Sequence, residues 1–130
     1  MDHEQAKQIG ERFVRAVETN ATGALFAPDV FCDINVPEWR FQMQGGDAIE
    51  AWLKGEQPDG CTVASWRADA TEHGAIVELE QHVSDTISRN IHRLDVVDGQ
   101  IVEWTMYCTG VWSEEAQETQ RREAPMLRPW

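Results

Sequence analysis

Asp33 and Asn35 stand two residues apart in the stretch Asp33-Ile-Asn-Val-Pro37, so in an extended strand both side chains point to one side, opposite Cys32, Ile34 and Val36. A carboxylate facing an apolar cavity has its charged form disfavoured, which brings its proton affinity toward working pH and suits Asp33 to general acid or base work. Asn35 would orient water or a substrate oxygen beside it. The plainer reading is that both residues bond to turn backbone around Pro37. Glu80 and His92 form a second candidate pair, because a carboxylate beside an imidazole fixes its tautomer and lets the two share a proton. Glu78, Glu80, His82 and His92 could equally form a solvated sheet face, or a buried pair without chemistry. Glu80, His82 and His92 also contain the residue types of a two-His, one-carboxylate metal site. No His-x-His or His-Glu-x-x-His pattern accompanies them, and neither a metal nor a cofactor is expected.

The chain has six Trp residues. Trp39, Trp52, Trp66 and Trp104 fall in segments that face a core or cavity, where flat rings fill a core or grip an apolar ligand. Trp112 and Trp130 would serve subunit packing. Asn90, Met106 and Cys108 complete the expected lining. Cys108 is read as a buried structural thiol, since no His can be placed beside it to activate it.

Positioning these residues requires a helix, a hairpin, a second helix and a meander of strands. Ala6, Ile9, Phe13, Ala16 and Val17 recur at helical spacing, with Glu4, Lys7, Glu11, Arg15 and Glu18 on the other side. Asn20 to Gly23 supplies a stop, and Ala24 to Ala27 reads as a short helical turn. From Val30 the period becomes two, and Pro37-Glu38 turns the chain into Trp39–Gln44. Asp47 with Glu50 resembles a capping box for a helix burying Ile49, Trp52 and Leu53. Strands are expected over 62–71, 75–83, 90–97 and 101–112, joined by turns at 72–74 and 84–88. Helices first and hairpins after predict an α+β architecture, the helices lying across one face of a curved antiparallel sheet. A three-residue loop at Val97-Asp98-Gly99 pairs Leu94 with Val102, His92 with Trp104 and Arg93 with Glu103. That register turns Asn90, His92, Leu94, Val96, Val102, Trp104, Met106 and Cys108 inward. A tight connection near Asp85 to Ile87 then sets Glu80 beside His92, whereas the opposite phase would put Gln81, Arg89 and Tyr107 inside.

Composition bounds the function. The 130 residues suit one domain over 1–130, with 113–130 as a C-terminal tail. With 11 Lys plus Arg against 23 Asp plus Glu, the net charge of -12 repels nucleic acid and anionic lipid. No signal sequence or membrane-spanning apolar run is seen, so a cytoplasmic protein is expected. Cys32, Cys61 and Cys108 have neither paired zinc-site spacing nor the even count of a disulfide framework, and reduced thiols are expected.

The order of Asp33-Ile-Asn-Val-Pro37, the helix Gly45-Gly-Asp-Ala-Ile-Glu-Ala-Trp-Leu53 and the hairpin Val97-Asp-Gly-Gln-Ile-Val-Glu-Trp104 resembles the cone-shaped α+β fold of the nuclear transport factor 2-like superfamily. The resemblance covers roughly residues 5 to 112. It extends to SnoaL-like cyclases, ketosteroid isomerases, scytalone dehydratases and limonene epoxide hydrolases, which act on small apolar molecules in a pocket. Asn35-Val-Pro37 is similar to the Tyr-x-Asn-x-Pro strand end of limonene epoxide hydrolases, with Asp33 in place of the Tyr. Ketosteroid isomerases carry their catalytic Asp on this strand. The Asp-Arg-Asp set of the epoxide hydrolases is missing, and Tyr107-Cys108-Thr109 stands where SnoaL-like cyclases place Tyr-x-Asp. The resemblance implies a cofactor-independent isomerase, cyclase, dehydratase or hydrolase for an apolar substrate, built as a homodimer, with Asp33, Asn35, Glu80 and His92 as its polar set. A non-catalytic domain that binds an apolar metabolite is the alternative.

Overall fold

The computed structural model describes residues 1–128, in the order α1 (His3–Thr19), β1 (Phe26–Val36), β2 (Trp39–Gln44), α2 (Gly46–Glu56), β3 (Thr62–Ala70), β4 (Gly74–Val83), β5 (Thr86–Val97), β6 (Gln100–Cys108) and α3 (Glu114–Glu123). Helix α1 starts at a capping box, the Gln5 amide donating to Asp2 Oδ1 at 2.8 Å while the Asp2 amide donates to Gln5 Oε1 at 3.0 Å. It ends at Asn20, whose left-handed backbone (φ 58°) stops the helix. The apolar stripe of α1 packs across β3 and β4. Contact there is close enough that a Cβ on Gly10 would lie 2.9 Å from the Ala68 Cβ, so only glycine fits without displacement.

The strands form one six-stranded sheet in the order β2-β1-β6-β5-β4-β3. Its inner face carries Val30, Cys32, Ile34, Leu79, Val77, Leu94 and Trp104, all buried beneath α1 and α2. The α+β fold class is therefore that of a curved, unclosed sheet wrapped on helices. One pair departs from the expected antiparallel pattern: β1 runs parallel to β6. The long path through β2, α2 and β3–β5 returns the chain beside β1 in its own direction, a pairing that no tight turn could make.

Local departures have local causes. Ala24–Ala27 does not form a helical turn, because Leu25 O accepts from the Ile101 amide at 2.8 Å and Phe26 already begins β1. Asp47 does not cap α2. Gly45 holds that position with φ 96° and donates its amide to Val30 O at 2.8 Å, which leaves Asp47 in the first turn, where its charge suits the helix N-terminus. Strand β5 starts at Thr86 instead of Asn90, since Ser84-Asp85 alone makes the turn between Val83 and Thr86.

The β5–β6 turn is the two residues Asp98 and Gly99, both at positive φ, instead of three. A bulge before Val96 then shifts the ladder, so that Leu94 pairs with Trp104 and His92 with Met106, correcting the register expected from sequence. The shift is by two residues, so His92, Leu94, Trp104 and Met106 still face the core. On β4 the phase is reversed from that expected: Glu80 pairs with Arg89, and Gln81 turns inward. The C-terminal segment joins the sheet through one bridge, Ile87 to Trp112, and Ser113 caps α3 by accepting from the Ala116 amide at 3.1 Å. Trp130 lies outside the described residues. Among the described residues, no helix is long and apolar enough to cross a membrane.

Candidate functional site

Between α1, α2 and the inner sheet face lies a cavity of about 440 Å³, within the range of small-molecule sites. Val36, Trp52, Leu53, Val83, Trp104 and Met106 give it an apolar and aromatic wall. Its polar lining comes from Glu56 and Gln57 at the end of α2, Gln81 on β4, and Thr86, Ser88, Asn90 and His92 on β5, with Cys108 on β6 beside Asn90.

His92 is 2 % exposed, and its ring is flanked by Phe13 and Trp104 at centroid distances of 4.7 and 5.8 Å. The Trp104 indole N–H donates to His92 Nδ1 at 2.9 Å. An indole nitrogen can only donate, so Nδ1 must be the unprotonated atom and the ring proton sits on Nε2. Burial pushes the imidazole down to about 3, which keeps it neutral at ordinary pH. Nε2 has no protein partner among the described residues. His92 is thus a fixed neutral donor and not a proton acceptor.

A run of amides lies alongside. Asn20 Nδ2 donates to Gln57 O at 2.7 Å, and Gln57 Nε2 donates to Val17 O at 2.6 Å and to Asn20 Oδ1 at 2.9 Å. Gln81 Nε2 donates to Gln57 Oε1, and Asn90 Nδ2 donates to Gln81 Oε1 at 3.1 Å. Sequence reasoning misses Gln57 and places Gln81 inside only in the opposite phase of β4, together with Arg89 and Tyr107, which in the structure stay outside. The alternation of Ala75, Val77 and Leu79 with Glu78 and Glu80 carries the signal, because that period places Gln81 and Val83 on the buried face.

Asp33 and Asn35 face away from the cavity, which corrects the expectation that they enter it. Cys32 and Ile34 take the buried side, and a strand cannot present both sets inward. Asp33 accepts two hydrogen bonds from Arg40 on β2, at 2.9 and 2.7 Å. Those bonds hold its carboxyl below the usual range, the opposite of what a buried general acid requires. Asn35 Nδ2 donates to Met106 O at 3.1 Å. Glu80 is likewise on the outer face, bonded to His82 at 2.9 Å, and the pairing of Glu80 with His92 does not form. Trp39 is 69 % exposed at the β1–β2 turn, and Trp66 packs against Gly10 instead of lining the cavity. Trp52, Asn90, His92, Trp104, Met106 and Cys108 all line it. Burial pushes the Cys108 thiol up, so it is not poised as a thiolate.

No family model matches the chain, and no curated protein matches it. Solved structures do. A candidate ketosteroid isomerase from Kribbella flavida is 22% identical, with a TM-score of 0.65 over 86% of this chain and 83% of that one. A nuclear transport factor 2-like protein of unknown function from Burkholderia xenovorans is 16% identical, with a TM-score of 0.66 over 90% of this chain and 92% of that one. A candidate isomerase from Bacillus subtilis is 16% identical, with a TM-score of 0.59 over 84% and 90% of the two chains. The chain has the nuclear transport factor 2-like fold.

Proposed function

We propose that this protein is a cofactor-independent isomerase-type enzyme acting on a small, largely apolar substrate that carries a carbonyl oxygen. The observation that carries the reading is His92, a buried imidazole whose tautomer Trp104 fixes and whose Nε2–H has no protein partner. A neutral donor held in an apolar wall stabilises negative charge developing on a substrate oxygen without giving up its proton. Glu56 is the one carboxylate lining the cavity among the described residues. It would remove a proton from the carbon next to the carbonyl as the electron pair moves toward oxygen, then return that proton to another carbon of the conjugated intermediate. The similarity in fold to a candidate ketosteroid isomerase and a candidate isomerase supports the class.

The test is turnover of a panel of cyclic enones, followed by proton exchange with deuterated solvent. Glu56→Gln should abolish exchange while leaving ligand affinity within about twofold. Loss of affinity and exchange together would instead give Glu56 a binding role.

A second reading, storage or transfer of an apolar metabolite without chemistry, is favoured by the inner wall itself. Its polar groups are amides, the Thr86 and Ser88 hydroxyls and a neutral imidazole, and Glu56 is exposed to solvent. Retention of an apolar ligand through purification, with no exchange on any enone, would select it. The proposal includes a homodimer formed through the outer sheet face, where Ile91 and Tyr107 are exposed side by side on β5 and β6. Sedimentation equilibrium of wild type and Ile91→Lys tests it.

A further inference from the structure

The amides beside the cavity can be oriented in only one way. Both hydrogens of Gln57 Nε2 are used, one on the Val17 carbonyl and one on Asn20 Oδ1. A backbone carbonyl can only accept, so the Gln57 amide cannot be flipped, and its Oε1 must face Gln81. Gln81 therefore donates through Nε2 and turns Oε1 toward Asn90, which must donate in turn through Nδ2. What remains is Asn90 Oδ1. It is buried and has no protein partner among the described residues, in a residue only 3 % exposed. His92 is settled by the same logic from the other side, because Trp104 leaves only an Nε2–H. Asn90 and His92, both of which line the cavity, thus carry one unpartnered acceptor and one unpartnered donor, two residues apart on a single face of β5.

We infer that the ligand of this pocket is an uncharged molecule carrying a hydrogen-bond acceptor for His92 and a donor for Asn90, and that Gln57 and Gln81 are positioning residues that set this preference. Residues i and i+2 of a strand lie about 6.6 Å apart, so the two groups belong at separate positions of a ring frame and not on one carbon. Among the described residues no Lys or Arg lines the cavity, and Asn90 Oδ1 would repel an anion, so a carboxylate is disfavoured. The inference rests on the small-molecule reading above and adds the substrate's chemical pattern: a hydroxy-ketone in preference to a ketone, hydrocarbon or acid.

Calorimetric titration of four probes of similar frame tests it: 6-hydroxy-1-tetralone, 6-methoxy-1-tetralone, tetralin and 2-naphthoate. The hydroxy-ketone should bind about tenfold more tightly than the methoxy-ketone, and the methoxy-ketone about tenfold more tightly than tetralin, each step being one buried hydrogen bond. Naphthoate should bind no better than tetralin. In Gln81→Met, Asn90 is free to flip, so the first step should shrink to within about twofold while the second persists. Equal binding of all four probes by wild type would overturn the inference and leave an apolar pocket standing. No binding of any probe, tetralin included, would overturn the pocket reading and the inference together. An undiminished first step in folded Gln81→Met would remove the positioning role, and the wild-type series decides the ligand pattern even if that variant fails to fold.

Discussion

Trp104 donates its indole proton to Nδ1 of His92 at 2.9 Å, diagonally across the β5–β6 ladder in which Trp104 pairs with Leu94 and His92 with Met106. The bond fixes the tautomer and leaves Nε2 as the imidazole nitrogen without a protein partner among the described residues, and it also makes charging His92 costly. Protonation would place a hydrogen on Nδ1 against the indole N–H, inside an apolar wall.

The pH dependence follows. The unfolded imidazole titrates near 6.5, and burial pushes the folded one down to about 3. Between those values the unfolded chain binds a proton that the native chain does not, so stability is full above about pH 6.5 and falls as pH drops through the window. The slope from this group is about 1.4 kcal/mol per pH unit. Urea melts from pH 7.5 to pH 4.5 on wild type and His92→Gln measure it. The variant starts less stable and should lack this component of the slope. Equal slopes would mean that His92 titrates normally.

Trp104→Phe keeps most of the ring and removes the donor. Nδ1 is then left buried without a partner, which costs about 1–3 kcal/mol on top of any packing loss. With the indole gone, the ring proton can move to Nδ1, and affinity for a ketone probe should fall by about tenfold. Nitrogen chemical shifts of the His92 ring would report the tautomer directly: Nε2-protonated in wild type, mixed in the variant.

Asp33→Asn tests the opposite kind of residue. Its partner Arg40 is largely exposed, and the pair lies on the outer face. Exposed ion pairs contribute about 0–1 kcal/mol, so the variant should melt near wild type and keep ligand affinity and any turnover. A large loss of turnover with unchanged affinity would return Asp33 to the chemistry.

The gap between sequence and structure is one of strand parity. Helices α1 and α2, the strand order in the chain and the inward set on β5 and β6 are legible, because Leu94, Trp104 and Met106 are apolar at period two and stay inward through a two-residue register shift. Asp33 and Glu80 misled for one reason. Each was assigned by its chemical potential, while its apolar neighbours, Ile34 beside Asp33 and Leu79 beside Glu80, had the stronger claim on the buried side. Burying Asp33 would have exposed Cys32 and Ile34. The amide run is not legible in sequence because its members lie just past the ends of α1 and α2 and on β4 and β5, and only the fold brings Asn20, Gln57, Gln81 and Asn90 together.

Cys108 gives a probe of occupancy. Its thiol lies half-buried on the cavity wall, beside Asn90 on the ladder, and burial raises its proton affinity, so little thiolate exists at neutral pH. Cys32 is pushed up to about 12 and Cys61 to about 11, so neither should compete as a fast site. Iodoacetamide should therefore label the native protein slowly at pH 7 and faster as pH rises, with Cys108 modified before buried Cys32. A ligand filling the cavity should suppress labelling of Cys108 and leave that of Cys61 less affected. Peptide mass spectrometry at timed quenches distinguishes the sites. Protection of Cys61 and Cys108 to the same degree would indicate general stabilisation by the ligand, whereas selective protection of Cys108 would place the ligand against β6, within reach of Asn90 and His92.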